Sequence, residues 1–143
     1  MGRRLAPKVL VALELFWAGA AEAGEAMDGA AIRQAFAGVT LAGIYADGVW
    51  FRESYAGDGA IDYTDDRGSD RGRWSVIGNI FCTFYDKLAG GCFAVERESA
   101  NCFTFYSVDI LARRAEAWTA HGWNTASPAT CPAPEVAALG REA

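Results

Sequence analysis

Hydrophobic and polar residues alternate along much of the chain after Thr40, which is the pattern of strands with one face toward a core and the other toward solvent. The alternation is clear in the segment 49–55, where Phe51 is predicted to point inward and Arg52 outward. Turn signals interrupt it repeatedly and divide it into short antiparallel strands. These strands are predicted at residues 41–46, 49–55, 60–63, 72–77, 80–85, 92–98 and 102–108.

Three dipeptides supply the strongest turn signals: Asp47-Gly48, Asp58-Gly59 and Gly78-Asn79. Asp-Gly predicts a tight hairpin, because a type I′ turn needs a positive φ angle at both central residues. Closing the third turn over two residues pairs Ile77 with Ile80 and fixes the register of that hairpin. The chain is therefore predicted to run as a meander of neighbouring strands.

The segments outside these strands are less regular. Asp28 is placed to cap a short helix, and Gly38 follows where a helix C-terminus is expected. The polar run 64–71 is predicted to be a loop. Residues 110–117 contain good helix formers, whereas residues 118–123 resemble an edge strand with aromatic residues, so a final strand over part of 110–124 is favoured over a helix.

Together these elements predict an all-β, mainly antiparallel fold. We expect a curved sheet or a small up-and-down barrel of about seven or eight strands, with one short N-terminal helix packed against it. An aromatic-rich face is the predicted core, formed by Trp74, Val76, Phe81, Tyr85, Phe93, Val95, Phe103 and Phe105.

The N-terminus has the layout of a secretory signal peptide. Basic residues precede an apolar run at 9–20, and a small-residue cleavage site ends at Ala23. Glu14 interrupts the run, so a cytoplasmic protein that begins with an amphipathic helix is the alternative. The run is also too short to span a membrane. The chain is thus divided into a signal peptide at 1–23, a single β domain at 24–131 and a flexible C-terminal tail at 132–143, with a periplasmic or secreted location.

The chain has four cysteines, Cys82, Cys92, Cys102 and Cys131. Their spacing contains no C-x-x-C pair, which disfavours a structural zinc site, and an oxidising compartment favours disulfides. Of the three connectivities, Cys82 with Cys92 and Cys102 with Cys131 is favoured. The first two lie close to opposite each other on one face of a hairpin.

The charge balance excludes some partners. The net charge is −5 at pH 7, which argues against nucleic acid and anionic membranes, since both reward basic patches. Arg67, Arg71 and Arg73 alternate with acidic residues and are predicted to form a solvated loop. No further stretch could span a membrane, and no cofactor or metal is expected.

Turn glycines and aromatic residues recur at Phe36-Ala37-Gly38, Asp47-Gly48, Glu53-Ser54-Tyr55 and Gly72-Arg73-Trp74, and Cys82 and Cys92 are closely spaced. In these features the chain resembles a broad group of small secreted proteins of proteobacteria with a domain of unknown function. The resemblance implies a compact β domain of the cell envelope. It carries no activity and no catalytic residues.

Few residues indicate chemistry. His121 is the only histidine, and no nucleophile motif accompanies it, so no catalytic residue is predicted. The acidic residues between 58 and 70 lack the register of a calcium loop. Glu53 with Asp58 or Asp62 could form an acid and base pair for hydrolysis, although acidic residues are ordinary near hairpin turns.

Surplus aromatic residues are the remaining signal. Trp50, Trp118 and Trp123 exceed what a small core can bury, and with His121 they are the candidate binding residues. The leading hypothesis is a non-enzymatic binding or inhibitory module of the bacterial cell envelope, with an envelope protein or a glycan as candidate partner. The alternatives are a carboxylate-dependent envelope hydrolase and a purely structural envelope component.

Overall fold

Eight antiparallel strands close into a β-barrel, accompanied by one further short strand and one helix, in a computed structural model that describes residues 24–132. The predicted fold class is confirmed. The predicted signal peptide at 1–23 lies outside the described residues, as does the predicted tail beyond residue 132. The elements are β1 (Glu25–Ala26), α1 (Gly29–Phe36), β2 (Val39–Tyr45), β3 (Trp50–Tyr55), β4 (Ala60–Asp65), β5 (Gly68–Ile77), β6 (Ile80–Tyr85), β7 (Gly91–Ser99), β8 (Cys102–Ser107) and β9 (Ala120–Asn124).

The barrel is a meander in which each strand from β2 to β9 pairs with the next, and β9 pairs back with β2. The prediction of a final strand is confirmed at β9, but the prediction that it lies at an edge is wrong. Ala120 pairs with Tyr45 of β2 on one side and with Phe105 of β8 on the other. This closure gives β2 and β9 a partner along both edges, as an up-and-down barrel requires.

The interior follows the predicted alternation. Phe51 is buried and Arg52 is exposed, as expected for β3. Of the predicted core, Trp74, Phe81, Val95, Phe103 and Phe105 are buried, while Val76, Tyr85 and Phe93 are half-buried and pack against them.

The turns confirm the predicted hairpins but correct one detail. Gly78 has φ +60° and Ile77 pairs with Ile80, so the two-residue turn and its register are confirmed. At Asp47-Gly48 and Asp58-Gly59, only the glycine has a positive φ, so these turns are not type I′. Each of these loops is one residue longer than a type I′ turn. The extra residue lets the aspartate keep a negative φ angle.

Two segments that were not predicted to be regular strands differ from the predictions in opposite ways. The prediction of a loop at 64–71 is wrong, because β4 and β5 extend through this segment as far as a turn at Asp66-Arg67. This hairpin is largely exposed and therefore lacks the apolar alternation that identifies a strand. Residues 110–117 form neither a helix nor a strand, apart from one bridge between Val108 and Arg114.

The predicted helix is confirmed as α1, with Asp28 as its N-cap. The Asp28 carboxylate accepts a hydrogen bond from the Ala31 N–H at 2.8 Å. Ile32 and Phe36 are fully buried, and the Phe36 ring lies 5.1 Å from Phe103 and 5.3 Å from Phe81. The helix is fixed to the β5–β6 turn, where Asn79 Oδ1 accepts from the Gly29 N–H at 3.0 Å. It therefore closes this end of the barrel with an apolar plug.

Both predicted disulfides are confirmed, Cys82 with Cys92 and Cys102 with Cys131. The first joins adjacent strands β6 and β7, and the second holds the segment after β9 against β8. Two disulfides fit an oxidising extracellular compartment. Within residues 24–132, no helix is long and apolar enough to cross a membrane.

Candidate functional site

The two ends of the barrel differ in character. The helix covers the end that carries the β3–β4, β5–β6 and β7–β8 turns. The other end carries the β2–β3, β4–β5 and β6–β7 turns and the long β8–β9 connection, and there a cavity of about 580 Å³ opens to solvent. Such a volume lies within the range of about 300–1,000 Å³ that holds small organic ligands.

The cavity wall is mainly aromatic with a few polar groups. Its rings are contributed by six of the eight barrel strands. They include close pairs such as Tyr45 with Phe51, tilted at 4.5 Å between ring centroids, and Tyr63 with Tyr85, edge-on at 5.3 Å. The aromatic lining residues are Tyr45, Phe51, Tyr55, Tyr63, Phe81, Tyr85, Phe93 and Phe105.

A carboxylate, Glu53, lies among these rings. It follows Phe51 by two positions on β3 and precedes Tyr55 by two, so the strand alternation turns all three side chains into the barrel. Glu53 is only 5% exposed, yet it lines the cavity. It therefore lies where the apolar plug ends and the open half of the barrel begins.

Two tyrosine hydroxyls hold the Glu53 carboxylate. Tyr55 donates to Oε2, and Tyr85 donates to Oε1 from β6. The Tyr55 ring also stacks on Phe36 of the helix at 5.7 Å, so the plug orients one of the two donors. Because each carboxylate oxygen can accept about two hydrogen bonds, the carboxylate keeps acceptor capacity toward the cavity.

Burial dominates the ionisation of this cluster. It raises the pKa of Glu53 above its ordinary value, although the hydrogen bonds from Tyr55 and Tyr85 oppose the rise. Burial, together with the nearby Glu53 charge, also raises the pKa values of Tyr45, Tyr55 and Tyr85. These tyrosines therefore remain protonated donors around a carboxylate in a site of low polarity.

Among the described residues, Glu53 forms no ion pair. Among the described residues that line the cavity, Arg67 is the one basic side chain. It forms a salt bridge to Asp65 at 2.6 Å and is largely exposed at the mouth. That arginine lowers the pKa of Asp65 to about 2. Asp47 also lines the mouth, so the charge left unbalanced in this lining is negative.

The loop between β6 and β7 forms part of the mouth, and a buried carboxylate anchors it. Asp70 of β5 accepts hydrogen bonds from the backbone N–H groups of Lys87 and Leu88, both at 2.9 Å, and from that of Arg71 at 2.8 Å. Burial alone would raise the pKa of Asp70, but these three donors outweigh it and lower the pKa. Leu88 itself lines the cavity and is partly exposed.

The four candidate binding residues lie elsewhere, on the outer wall of the barrel over β3, β2 and β9. Trp50 packs edge-on against Trp123, with 5.7 Å between the ring centroids, and the ring centroids of Trp118 and His121 are 4.2 Å apart. Trp50 is 54% exposed, while the other three are half-buried. The structure thus places them as two aromatic pairs on the outer wall, together called the outer aromatic cluster, and none of the four lines the cavity.

His121 is hydrogen-bonded within this outer cluster. Its Nδ1 lies 3.0 Å from the Thr104 hydroxyl, which also donates to Glu98 at 3.0 Å. Burial lowers the pKa of His121, and the charge of Glu98 opposes this. His121 pairs with Thr104 across β8 and β9 on the outer face, so it contributes nothing to the cavity.

The structure does not bring Glu53 together with either proposed carboxylate partner. Asp62 pairs with Ser54 and points outward, whereas Glu53 pairs with Tyr63 and points inward. Asp58 lies in the β3–β4 turn at the end that the helix covers. Within 24–132, no cluster of three or more histidine, cysteine or acidic side chains could hold a metal ion.

The sequence analysis weighed Glu53 only as half of a carboxylate pair and did not select Tyr45, Tyr55, Tyr63 or Tyr85 as site residues. The alternation along β3 contained the missing signal, because it places residues 51, 53 and 55 on one face. An acidic residue on an inward face with aromatic neighbours marks a polar position inside a barrel.

Comparison with known proteins gives no further guide: the chain matches no protein-family model, and no curated protein matches it significantly.

Proposed function

We propose that the protein is a non-enzymatic binding protein that holds one small organic ligand in the open half of its barrel. The observation that carries this proposal is the aromatic cavity of about 580 Å³ with Glu53 buried in its wall. Aromatic rings supply apolar contact area, and a few placed polar groups orient a ligand. Barrels of about eight strands are wide enough for one such molecule.

The proposed location is the periplasm or the extracellular space. The two disulfides support an oxidising compartment, and the N-terminal sequence pattern supports export. In that setting the protein binds, carries or sequesters its ligand.

The arrangement of Glu53 favours holding a ligand over converting one. Both carboxylate oxygens accept hydrogen bonds from tyrosines, and the nearest acidic neighbour in the adjoining strand, Asp62, points away. Hydrolysis by paired carboxylates needs both groups on the same side of a substrate. Binding of an envelope protein or a glycan at the outer aromatic cluster is the second candidate, supported by the exposure of Trp50.

An NMR fragment screen separates these two sites. Fragments of up to about 20 heavy atoms should shift the backbone amides of cavity-lining residues such as Thr83 and Gly91, since ligands of this size fit the cavity. The indole N–H signals of Trp50, Trp118 and Trp123 report on the outer cluster and should stay unshifted.

A variant at the cavity mouth supplies the control. Ala89→Trp should block these fragments, because Ala89 is exposed and lines the cavity, whereas Ala100→Trp in the β7–β8 turn at the opposite end should not. Shifts confined to the outer indoles, or fragment binding unaffected by Ala89→Trp, would contradict the cavity as the binding site.

A further inference from the structure

We infer that the ligand of this cavity is an organic cation, an ammonium group on an apolar or aromatic body, whose N–H groups bind the Glu53 carboxylate. This inference rests on the proposed function and adds the chemical class of the ligand. It follows from the charge, the hydrogen bonding and the surroundings of Glu53.

The hydrogen-bond partners of Glu53 are suited to its ionised form. Each oxygen of Glu53 lies within hydrogen-bonding distance of a tyrosine hydroxyl, and both hydroxyls can donate to the ionised carboxylate. Neither Tyr55 nor Tyr85 brings a positive charge. The site therefore supplies hydrogen bonds to the anion but leaves its charge without a counterion among the described residues.

A buried carboxylate without a cation is costly, and a ligand with a positive charge removes that cost. Arg67 does not serve this role, because Asp65 holds its guanidinium at the mouth through contacts of 2.6 and 3.0 Å. The other acidic group of the lining, Asp47, adds to the attraction for a cation. An anionic ligand would instead meet repulsion from both carboxylates.

The walls around Glu53 suit the same ligand. Aromatic faces attract cations, and the rings of Tyr45, Phe51, Tyr63 and Tyr85 line the cavity together with Glu53. Phe93 and Phe105, which pack edge-on at 6.3 Å, offer apolar surface for the body of the molecule. A bare metal ion needs several ligand side chains, and within residues 24–132 no cluster of three or more histidine, cysteine or acidic side chains could hold one, so an organic cation is the better occupant.

Three probes of similar size and different charge test this inference: 2-phenylethylamine, 2-phenylethanol and phenylacetate. Their dissociation constants are measured by NMR titration in about 0.15 M salt, which screens the general attraction of an acidic protein for cations. The amine should bind about 10- to 100-fold more tightly than the alcohol, the range expected for a charged hydrogen bond, and phenylacetate should bind most weakly. Glu53→Gln should remove most of the advantage of the amine, whereas Asp62→Asn, an equal charge change on the outer face, should preserve it.

The outcomes distinguish the two claims. If the alcohol or phenylacetate binds as tightly as the amine to the wild-type protein, the cation inference is overturned while the cavity remains a binding site. The same holds if neutral fragments occupy the cavity but the amine does not. If no probe and no fragment enters the cavity, the proposed function fails as well. The comparison of the three probes on the wild-type protein decides the inference even if Glu53→Gln does not fold.

Discussion

At the scale of single residues, Glu53 is the position that departs most from the rules of a small barrel. Its neighbours on the same face of β3, Phe51 and Tyr55, follow the expected inward aromatic pattern. A carboxylate between them lowers the stability of the fold, and departures of this kind are expected at functional sites. Tyr55 and Tyr85 reduce that loss, because each donates a hydrogen bond to it.

We predict that Glu53→Gln stabilises the unliganded protein at neutral pH. Burial raises the native pKa of Glu53 above its ordinary value near 4.5, so the native state holds the proton more tightly than the unfolded chain. The stability linked to this proton is fully present below the unfolded pKa and is lost as pH rises through the native pKa.

Glutamine mimics the protonated form at every pH. The free energy of unfolding of the variant minus that of the wild type, measured by urea denaturation, should therefore increase from pH 4 to pH 8 by on the order of 1 kcal/mol. Because both proteins share the other titratable groups, the difference removes the contribution of those groups to the pH dependence of the unfolding free energy. A difference that is constant with pH, or that falls as pH rises, would mean that Glu53 has no raised pKa.

At the scale of elements, the helix and the β6–β7 loop shape the two ends of the barrel. The helix buries Ile32 and Phe36 and leaves only the opposite end open. At that end, Asp70 fixes the backbone of Lys87 and Leu88 through two hydrogen bonds of 2.9 Å. The plug therefore sets the floor of the cavity, and a single carboxylate anchors one of the loops that form its mouth.

We predict that Asp70→Ala loosens the mouth without unfolding the barrel. The amide protons of Lys87 and Leu88 should exchange at least about tenfold faster by hydrogen exchange, because they lose a buried acceptor. The same loosening should occur in the wild-type protein at low pH. The pKa of Asp70 is lowered, so its stabilising effect is present above its unfolded pKa and is lost as pH falls through the native value.

Asp86→Ala is the matched control, since this exposed residue lies in the same loop and its side chain makes no hydrogen bond among residues 24–132. Its exchange rates should match those of the wild type. Equal effects of both substitutions would show that the loop responds to any loss of charge and that Asp70 is not its anchor.

At the scale of the whole molecule, local sequence patterns predicted most of the strands. They left open whether the strands form a curved sheet or close into a barrel. The pairing of Ile77 with Ile80 follows from a two-residue turn, and both disulfides follow from cysteine spacing in a hairpin meander. The pairing of β9 with β2 joins residues about 80 positions apart in the chain, and no local pattern specifies it. The cavity depends on this closure, because it forms only when strands from both ends of the chain face one another.

The candidate site likewise depends on long-range contacts that local sequence patterns do not specify. Of the residues selected for surplus aromatic character, Trp50 and Trp123 form one pair on the outer wall and Trp118 and His121 form another. Their role in binding stays a prediction. The tyrosines around Glu53 come from β2, β3, β4 and β6, and only the three-dimensional barrel shows that they share one cavity.

The pKa of Glu53, measured with and without a cation, tests the central claim most directly. Its side-chain carboxyl carbon can be followed by ¹³C NMR as pH is varied, in the presence of the neighbouring groups Tyr45, Tyr55, Tyr63, Tyr85, Asp47, Asp65 and Arg67. Without ligand, the pKa of Glu53 should lie above its ordinary value near 4.5.

Saturation with 2-phenylethylamine should lower this pKa, because an ammonium group that binds the carboxylate stabilises its ionised form, and 2-phenylethanol should change it little. The affinity for the amine should correspondingly weaken as pH falls through the pKa of the free protein. An ordinary pKa for Glu53 in the free protein, or one that the bound amine leaves unchanged, would contradict a buried carboxylate that recognises a cationic ligand.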